Sequence, residues 1–182
     1  MSTIFLVVMR EYAIFLRGVN VGGIRVPMNE LRQCLQSLPV QDIKTYLQSG
    51  NVTLSSNLAS GELKEGVEKA LTERFKYSAH VLIFLKEKLA SVVAAWPFGD
   101  ATDKHRYAIF CGSQATVEEL VHYASELDPS VERIAAGDQV VYWQAPKGSD
   151  SNTVFNKIIS KSRYKAITTN RNLNTIEKMI AR

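Results

Sequence analysis

The tetrapeptide Tyr-Ala-Ile-Phe occurs twice, at residues 12–15 and 107–110, and each copy opens the same succession of patterns. In the first half, Tyr12 to Leu16 is an unbroken apolar run, as a strand buried on both faces requires. Met28, Leu31, Leu35 and Leu38 then fall at helical spacing, with Pro27 at the first helical position and Pro39 as the stop. Two β-rich runs follow, Ile43 to Leu47 and Val52 to Leu54. Gln48-Ser-Gly-Asn51 joins them, a hairpin signal because glycine accepts the positive φ of a tight turn. From Ser60 to Lys76 the stripe of Leu63, Val67, Ala70, Leu71 and Phe75 predicts a helix. Ser60 is its expected N-cap, with Leu63 at the third helical position and no capping box. His80 to Leu85 closes this half as a strand.

The second half repeats the order. Arg106 to Cys111 reads as a strand, and Val117, Leu120, Val121, Ala124 and Leu127 as the stripe of a helix that Asp128-Pro129 ends. Ser130 to Ala135 and Gln139 to Gln144 form a hairpin about Gly137-Asp138. Asn152 to Ser162 is helical, with Phe155, Ile158 and Ile159 inward, and Lys165-Ala-Ile167 supplies a short last strand. A β-α-β-β-α-β order read twice predicts an α+β protein, a tandem duplication of a ferredoxin-like unit with a C-terminal helix. The expected divisions are 10–86 for the first unit, 87–104 for a connecting helix and loop, 105–168 for the second unit and 169–182 for the closing helix. On that helix Leu173, Ile176, Met179 and Ile180 share one side.

Three polar stretches stand out against this frame. Arg17 breaks the first apolar run and is followed by Gly18, Asn20, Gly22 and Gly23. Backbone N–H groups and a guanidinium can converge there on a phosphate or carboxylate; a tight turn with Arg17 paired to a carboxylate explains the same residues. A Walker A loop and a Rossmann turn are both absent in register. Thr168-Thr-Asn-Arg-Asn-Leu-Asn-Thr175 crowds polar side chains into the start of the last helix, where Thr169 or Asn170 suffices as a cap. Arg171, Asn172 and Asn174 exceed that need. Gln48, Ser49 and Asn51 form the third stretch; the hairpin accounts for most of it and leaves Gln48 over.

Catalytic and metal patterns are thin. His80, His105 and His122 are scattered, no His/Cys spacing suits zinc, and no Gly-x-Ser-x-Gly elbow is present. No metal and no cofactor is expected. His105, after Asp103-Lys104, is either a surface histidine or a proton-transfer group. Trp96 and Trp143 read as packing residues. The 182 residues carry a net charge of +4, which permits an anionic partner without requiring one. Cys34 and Cys111 read as reduced thiols in a cytoplasmic protein. Ile4 to Val8 is too short to span a bilayer, so no membrane partner is expected. Met9 is a candidate true start with residues 1–8 an extension; an extra edge strand or packing tail is the alternative.

Taken together, Leu16-Arg-Gly-Val-Asn-Val-Gly-Gly23, Val26-Pro-Met-x-Glu-Leu31, Thr45-Tyr-Leu-Gln-Ser-Gly-Asn-Val52, Trp96-Pro-Phe98, Asp103-Lys-His105 and Arg171-Asn-x-Asn-Thr175 resemble a bacterial family known as domain of unknown function 1697. The resemblance implies two ferredoxin-like units and a start near Met9. It implies no reaction. The functional expectation is a cytoplasmic protein that binds a small anionic ligand or nucleotide phosphate by charge-assisted and amide hydrogen bonds. Its site would join Arg17, Asn20, Gln48, Ser49 and Asn51 to Arg171, Asn172 and Asn174. Three other readings stay open: a nucleic-acid-binding protein docking through its sheets, an enzyme using Ser49 or His105, and an interaction module whose strand edges or last helix dock a partner or a second copy. Oligomeric state is not legible.

Overall fold

The computed structural model describes residues 8–19, 23–46, 50–99 and 101–181. Apart from Val8, the expected N-terminal extension lies outside them, as do Asn20, Gln48 and Ser49. The chain divides into two compact units, Met1–Glu87 and Lys88–Arg182.

In the first unit, strand β1 (Arg10–Arg17) is central. It pairs antiparallel with β3 (Asn51–Ser56) on one side and β4 (His80–Leu85) on the other, and β2 (Val40–Tyr46) lies outside β3. Tyr12 to Leu16 is buried at every position, as its unbroken apolar run predicts. Strand alternation puts Tyr12, Ile14 and Leu16 on one face, where helices α1 (Met28–Leu35) and α2 (Ser60–Phe75) cover them. Leu31 and Leu35 from α1, and Leu63, Val67 and Leu71 from α2, recur every four residues and supply the apolar stripes that fill this layer.

Two helix starts sit one residue from their expected places. Pro27 precedes α1 in extended geometry rather than occupying its first turn, and its carbonyl accepts from the Leu31 N–H at 2.9 Å. Ala59, not Ser60, is the N-cap of α2. That shift makes Glu62 the third helical residue, and its carboxylate accepts from the Ala59 N–H at 3.2 Å. Half a capping box therefore forms; alanine has no acceptor for the other half.

The second unit repeats the topology. Strand β5 (Lys104–Cys111) is central, between β7 (Val140–Pro146) and β8 (Thr168–Asn172), with β6 (Arg133–Ala136) outside β7. Helix α3 (Glu87–Ala94) leads in, α4 (Gln114–Val121) continues as a 3-10 turn at His122–Glu126, and α5 (Val154–Ile159) and α6 (Ser162–Lys165) follow β7. The core joins Ile109, Val141 and Trp143 to Val117, Leu120, Phe155 and Tyr164. Ser113 caps α4 and Thr153 caps α5, each hydroxyl accepting a backbone N–H at 3.3 Å.

One element differs in kind. The expected last strand, Lys165 to Ile167, is the end of α6 and a turn; the strand is Thr168–Asn172, and helix α7 (Leu173–Ile180) begins only after it. Tyr164 explains the change. Its ring is buried in the core of this unit, and its carbonyl accepts from the Ile167 N–H at 3.1 Å and the Thr168 hydroxyl at 3.0 Å. Ile167 is left exposed, and Thr168 and Thr169 fill the ladder opposite Cys111 and Phe110. The cap of α7 is consequently Asn172, not Thr169 or Asn170. Among the described residues no helix is long and apolar enough to cross a membrane.

Candidate functional site

The second unit builds a cationic pocket where two strands end unequally. On one side β5 pairs with β7 as far as Lys104, opposite Pro146. On the other, β8 stops at Asn172, opposite Tyr107, and the chain turns straight into α7. Lys104, His105 and Arg106 thus extend past the end of β8, and the first turn of α7 stands in the place a longer strand would occupy. Asn172 Oδ1 accepts the Asn174 N–H at 2.9 Å, capping the helix and fixing both amides at its start. Arg106 donates to Asn174 Oδ1 at 3.1 Å and to Glu177 Oε1 at 2.9 Å.

Lys104, His105, Arg106, Asn172 and Asn174, with Lys147 and the loop residues Ala101 and Thr102, line an open pocket of about 200 Å³. Its electrostatics are lopsided. Lys104 Nζ donates to the Ser130 and Val131 carbonyls at 3.1 and 2.9 Å, and Lys147 Nζ to the Thr102 carbonyl at 2.6 Å. Carbonyls hold an ammonium in place without cancelling its charge, and each ammonium has three donors. Among the described residues, the carboxylate paired with a pocket cation is Glu177, on Arg106. Three cations therefore face one paired carboxylate among the described residues. The N-terminal end of α7 adds partial positive charge to the same wall.

Behind His105 the sheet carries a row of rings and buried oxygens. The His105 and Tyr107 rings lie 5.5 Å apart, and Tyr107 stacks on Trp143 at 5.0 Å. The Tyr107 hydroxyl donates to Asp150 Oδ2 at 2.5 Å. Burial first, and that bond second, push the Tyr107 pKa above its ordinary value, so this phenol stays protonated near neutrality. Buried Glu132 accepts from Trp143 Nε1 at 2.9 Å and from the Phe155 N–H at 3.1 Å, tying β7 to the start of α5.

The expected site residues belong to both units and have different surroundings within them. Asn172 and Asn174 line the pocket and Arg171 does not. Arg171 is buried in β8, where alternation turns it away from Asn172, and it donates to the Thr169 hydroxyl at 2.6 Å and the Asn170 carbonyl at 2.7 Å. Asn51 is fully buried, and its amide donates to the Tyr46 carbonyl at 3.1 Å, closing the β2–β3 hairpin. Arg17 ends β1 opposite His80, half-buried; that burial lowers its pKa. It belongs to the first unit, and Asn172 to the second. The first unit has its own surface crease of about 750 Å³ before α1, lined by residues 23–29, with Arg25 as its charged group among the described residues. Size does not make it the better site, because among the described residues Arg25 and Asn29 are its only polar side chains.

Sequence reasoning does not mark Arg106 or Lys147 and takes in Lys104 only as the middle of the Asp103-Lys-His105 block. Their signal is weak: alternating basic residues at a strand entrance look like an ordinary solvated edge. Only the early end of β8 turns them into a wall.

Comparison with solved structures finds the same architecture in a conserved bacterial protein, SP0830 from Streptococcus pneumoniae. It is 25% identical, with a TM-score of 0.76, over 96% of this chain and 98% of that one. A protein of unknown role from Galdieria sulphuraria aligns over 90% of this chain and 98% of its own at 12% identity and a TM-score of 0.28, too low to bear on the fold. No curated protein matches the chain. The family described as Protein of unknown function (DUF1697) matches residues 9–142, well over half of the sequence. By that match, the chain belongs to the DUF1697 family.

Proposed function

We propose that the second unit binds a small anion, of phosphate or carboxylate type, in the pocket between the entrance of β5 and the start of α7. The observation that carries this reading is the pair of ammonium groups, Lys104 and Lys147, pinned by carbonyls and left with their charge. Holding them costs little further side-chain entropy on binding, because protein contacts have already ordered them. Arg106 adds a planar donor suited to two oxygens at once, and Asn172 and Asn174 add amide contacts. Binding without covalent chemistry accounts for all of these groups. Two free thiols, Cys34 and Cys111, support the cytoplasmic setting we propose with it.

Thermal unfolding in phosphate and in chloride at matched ionic strength tests the reading, since a ligand bound only to the folded state raises the melting temperature by mass action. Phosphate should stabilise the wild type and fail to stabilise Lys147→Met. Equal melting temperatures in both salts for the wild type would refute it. Arg17→Ala measures the share of the first unit: loss of the phosphate effect extends the site to Arg17, and an unchanged effect confines it to the second unit.

A further inference from the structure

A second cavity of about 270 Å³ adjoins the first, shares Lys104 and Ala101 with it, and brings Arg133 and Gln144 to its wall. Sheet register explains how the two are aligned. Arg106 on β5 is paired with Gln144 on β7, and Gln144 with Arg133 on β6. The three side chains form a row across one face, with the two arginines two strand spacings, about 10 Å, apart at their Cα atoms. Lys104, two residues before Arg106, lies on that face between the cavities.

Arg133 is held as the lysines are: its Nε donates to the Pro129 carbonyl at 3.0 Å. Among the described residues, no carboxylate stands within ion-pair distance of Lys104, Lys147 or Arg133. Among the described residues, two acidic groups interact with the row. Glu177 pairs with Arg106, and exposed Asp128 accepts from the Ser130 N–H and hydroxyl while lying near enough to Lys104 to feel its charge. Gln144 contributes an amide already donating to the Gly99 carbonyl at 3.2 Å.

Resting on the anion-site reading above, we propose that the two cavities are one elongated site for an oligophosphate, a ligand with two or three linked phosphate groups. One phosphate cannot span a row of this length; a linked chain can touch Lys147 and Arg106 at one end, Lys104 in the middle and Arg133 at the other. A nucleic-acid strand fits less well, because among the described residues His105 alone lines either cavity with an aromatic ring on which bases could stack.

Isothermal titration of the whole chain at fixed ionic strength separates the outcomes, with inorganic phosphate, pyrophosphate, tripolyphosphate, ADP and a single-stranded oligonucleotide as probes. Pyrophosphate or tripolyphosphate should bind at least tenfold more tightly than phosphate. Arg133→Met should weaken the oligophosphate about tenfold and leave phosphate within twofold, whereas Lys147→Met weakens both. ADP binding as tightly as pyrophosphate assigns the chain to a nucleotide, and weaker ADP binding to a free oligophosphate; either supports the elongated site. Phosphate and pyrophosphate binding alike, or an Arg133→Met protein with unchanged pyrophosphate affinity, overturns the elongated site and leaves the single-anion pocket standing. An oligonucleotide that outcompetes every small probe overturns it in favour of strand binding. No binding of any phosphate removes both readings. Unchanged circular dichroism of each variant in chloride guards against misfolding.

Discussion

Tyr12 and Tyr107 occupy equivalent places in two sheets of equal strand order, each opposite the last residue of the outer strand, Leu85 in one and Asn172 in the other. From there the partners diverge. Val81 to Leu85 is apolar along its length, and the matching Thr168 to Asn172 is polar throughout. One residue upstream of the shared tyrosine, the first unit has Glu11, joined to Lys86 at 3.2 Å, and the second has Arg106, joined to Glu177 at 2.9 Å. The same backbone thus carries opposite charges at one strand entrance. A duplicated fold keeps its register through the core residues and is free to vary the chemistry where the ladder ends.

If the core is what the halves share, equivalent truncations should cost alike. Ile14→Ala and Ile109→Ala each remove a fully buried side chain, and each should cost about 2–5 kcal/mol in urea unfolding. Trp96 and Trp143 both lie in the second unit, so tryptophan fluorescence follows that unit and amide hydrogen exchange the other. A cost in one unit more than twice that in the other would break the equivalence.

The hairpins sharpen the contrast. A Cβ on Gly50 would stand 2.7 Å from Leu16 Cβ and 2.8 Å from Val19 Cγ2, at a φ of +68°. A Cβ on Gly137 would meet Val140 Cγ1 at 2.6 Å and Tyr142 Cε2 at 2.7 Å, without a left-handed φ. Alanine should destabilise both, and Gly50→Ala by about 1–2 kcal/mol more, the added cost of a left-handed L residue. Equal costs would mean the clash alone decides.

Alkaline pH should act unevenly. Leu16 in the first unit corresponds to Cys111 in the second, whose thiol is pushed up to about 12 by burial. Between pH 9 and 12 the unfolded chain loses this proton and the folded chain keeps it, so stability falls as pH rises, by up to about 1.4 kcal/mol per pH unit for one group. Cys111→Val should flatten that slope in tryptophan-monitored unfolding from pH 9 to 10. In the first unit the Cys34 thiol, also raised by burial, acts in the same direction, and Tyr77, raised to about 12 by burial, adds to it from about pH 10 upward; neither is followed by the tryptophan signal. An unaltered slope in Cys111→Val would locate the alkaline sensitivity elsewhere.

Most of this architecture was legible because apolar periodicity reports burial directly: the stripes of Leu31, Leu63, Val67, Val117, Leu120 and Phe155 all face their cores. The last strand was not, because Thr-Thr-Asn-Arg-Asn has no apolar alternation and reads as loop. Its pairing is decided by the neighbour β5, a non-local fact. Of the site, the amides of Asn172 and Asn174 could be seen as surplus to capping, while Glu132 and Lys147 could not be flagged. A buried glutamate and a pinned lysine look like any surface charge until the chain around them is folded.

Arg106→Glu gives the second unit the charge that Glu11 gives the first, and a phosphate titration of this variant beside the wild type is the most direct measurement. A working cationic pocket predicts saturable heat for the wild type and none for the variant, with both proteins equally folded in chloride. The same affinity in both, within twofold, or no saturable heat in the wild type, would contradict it.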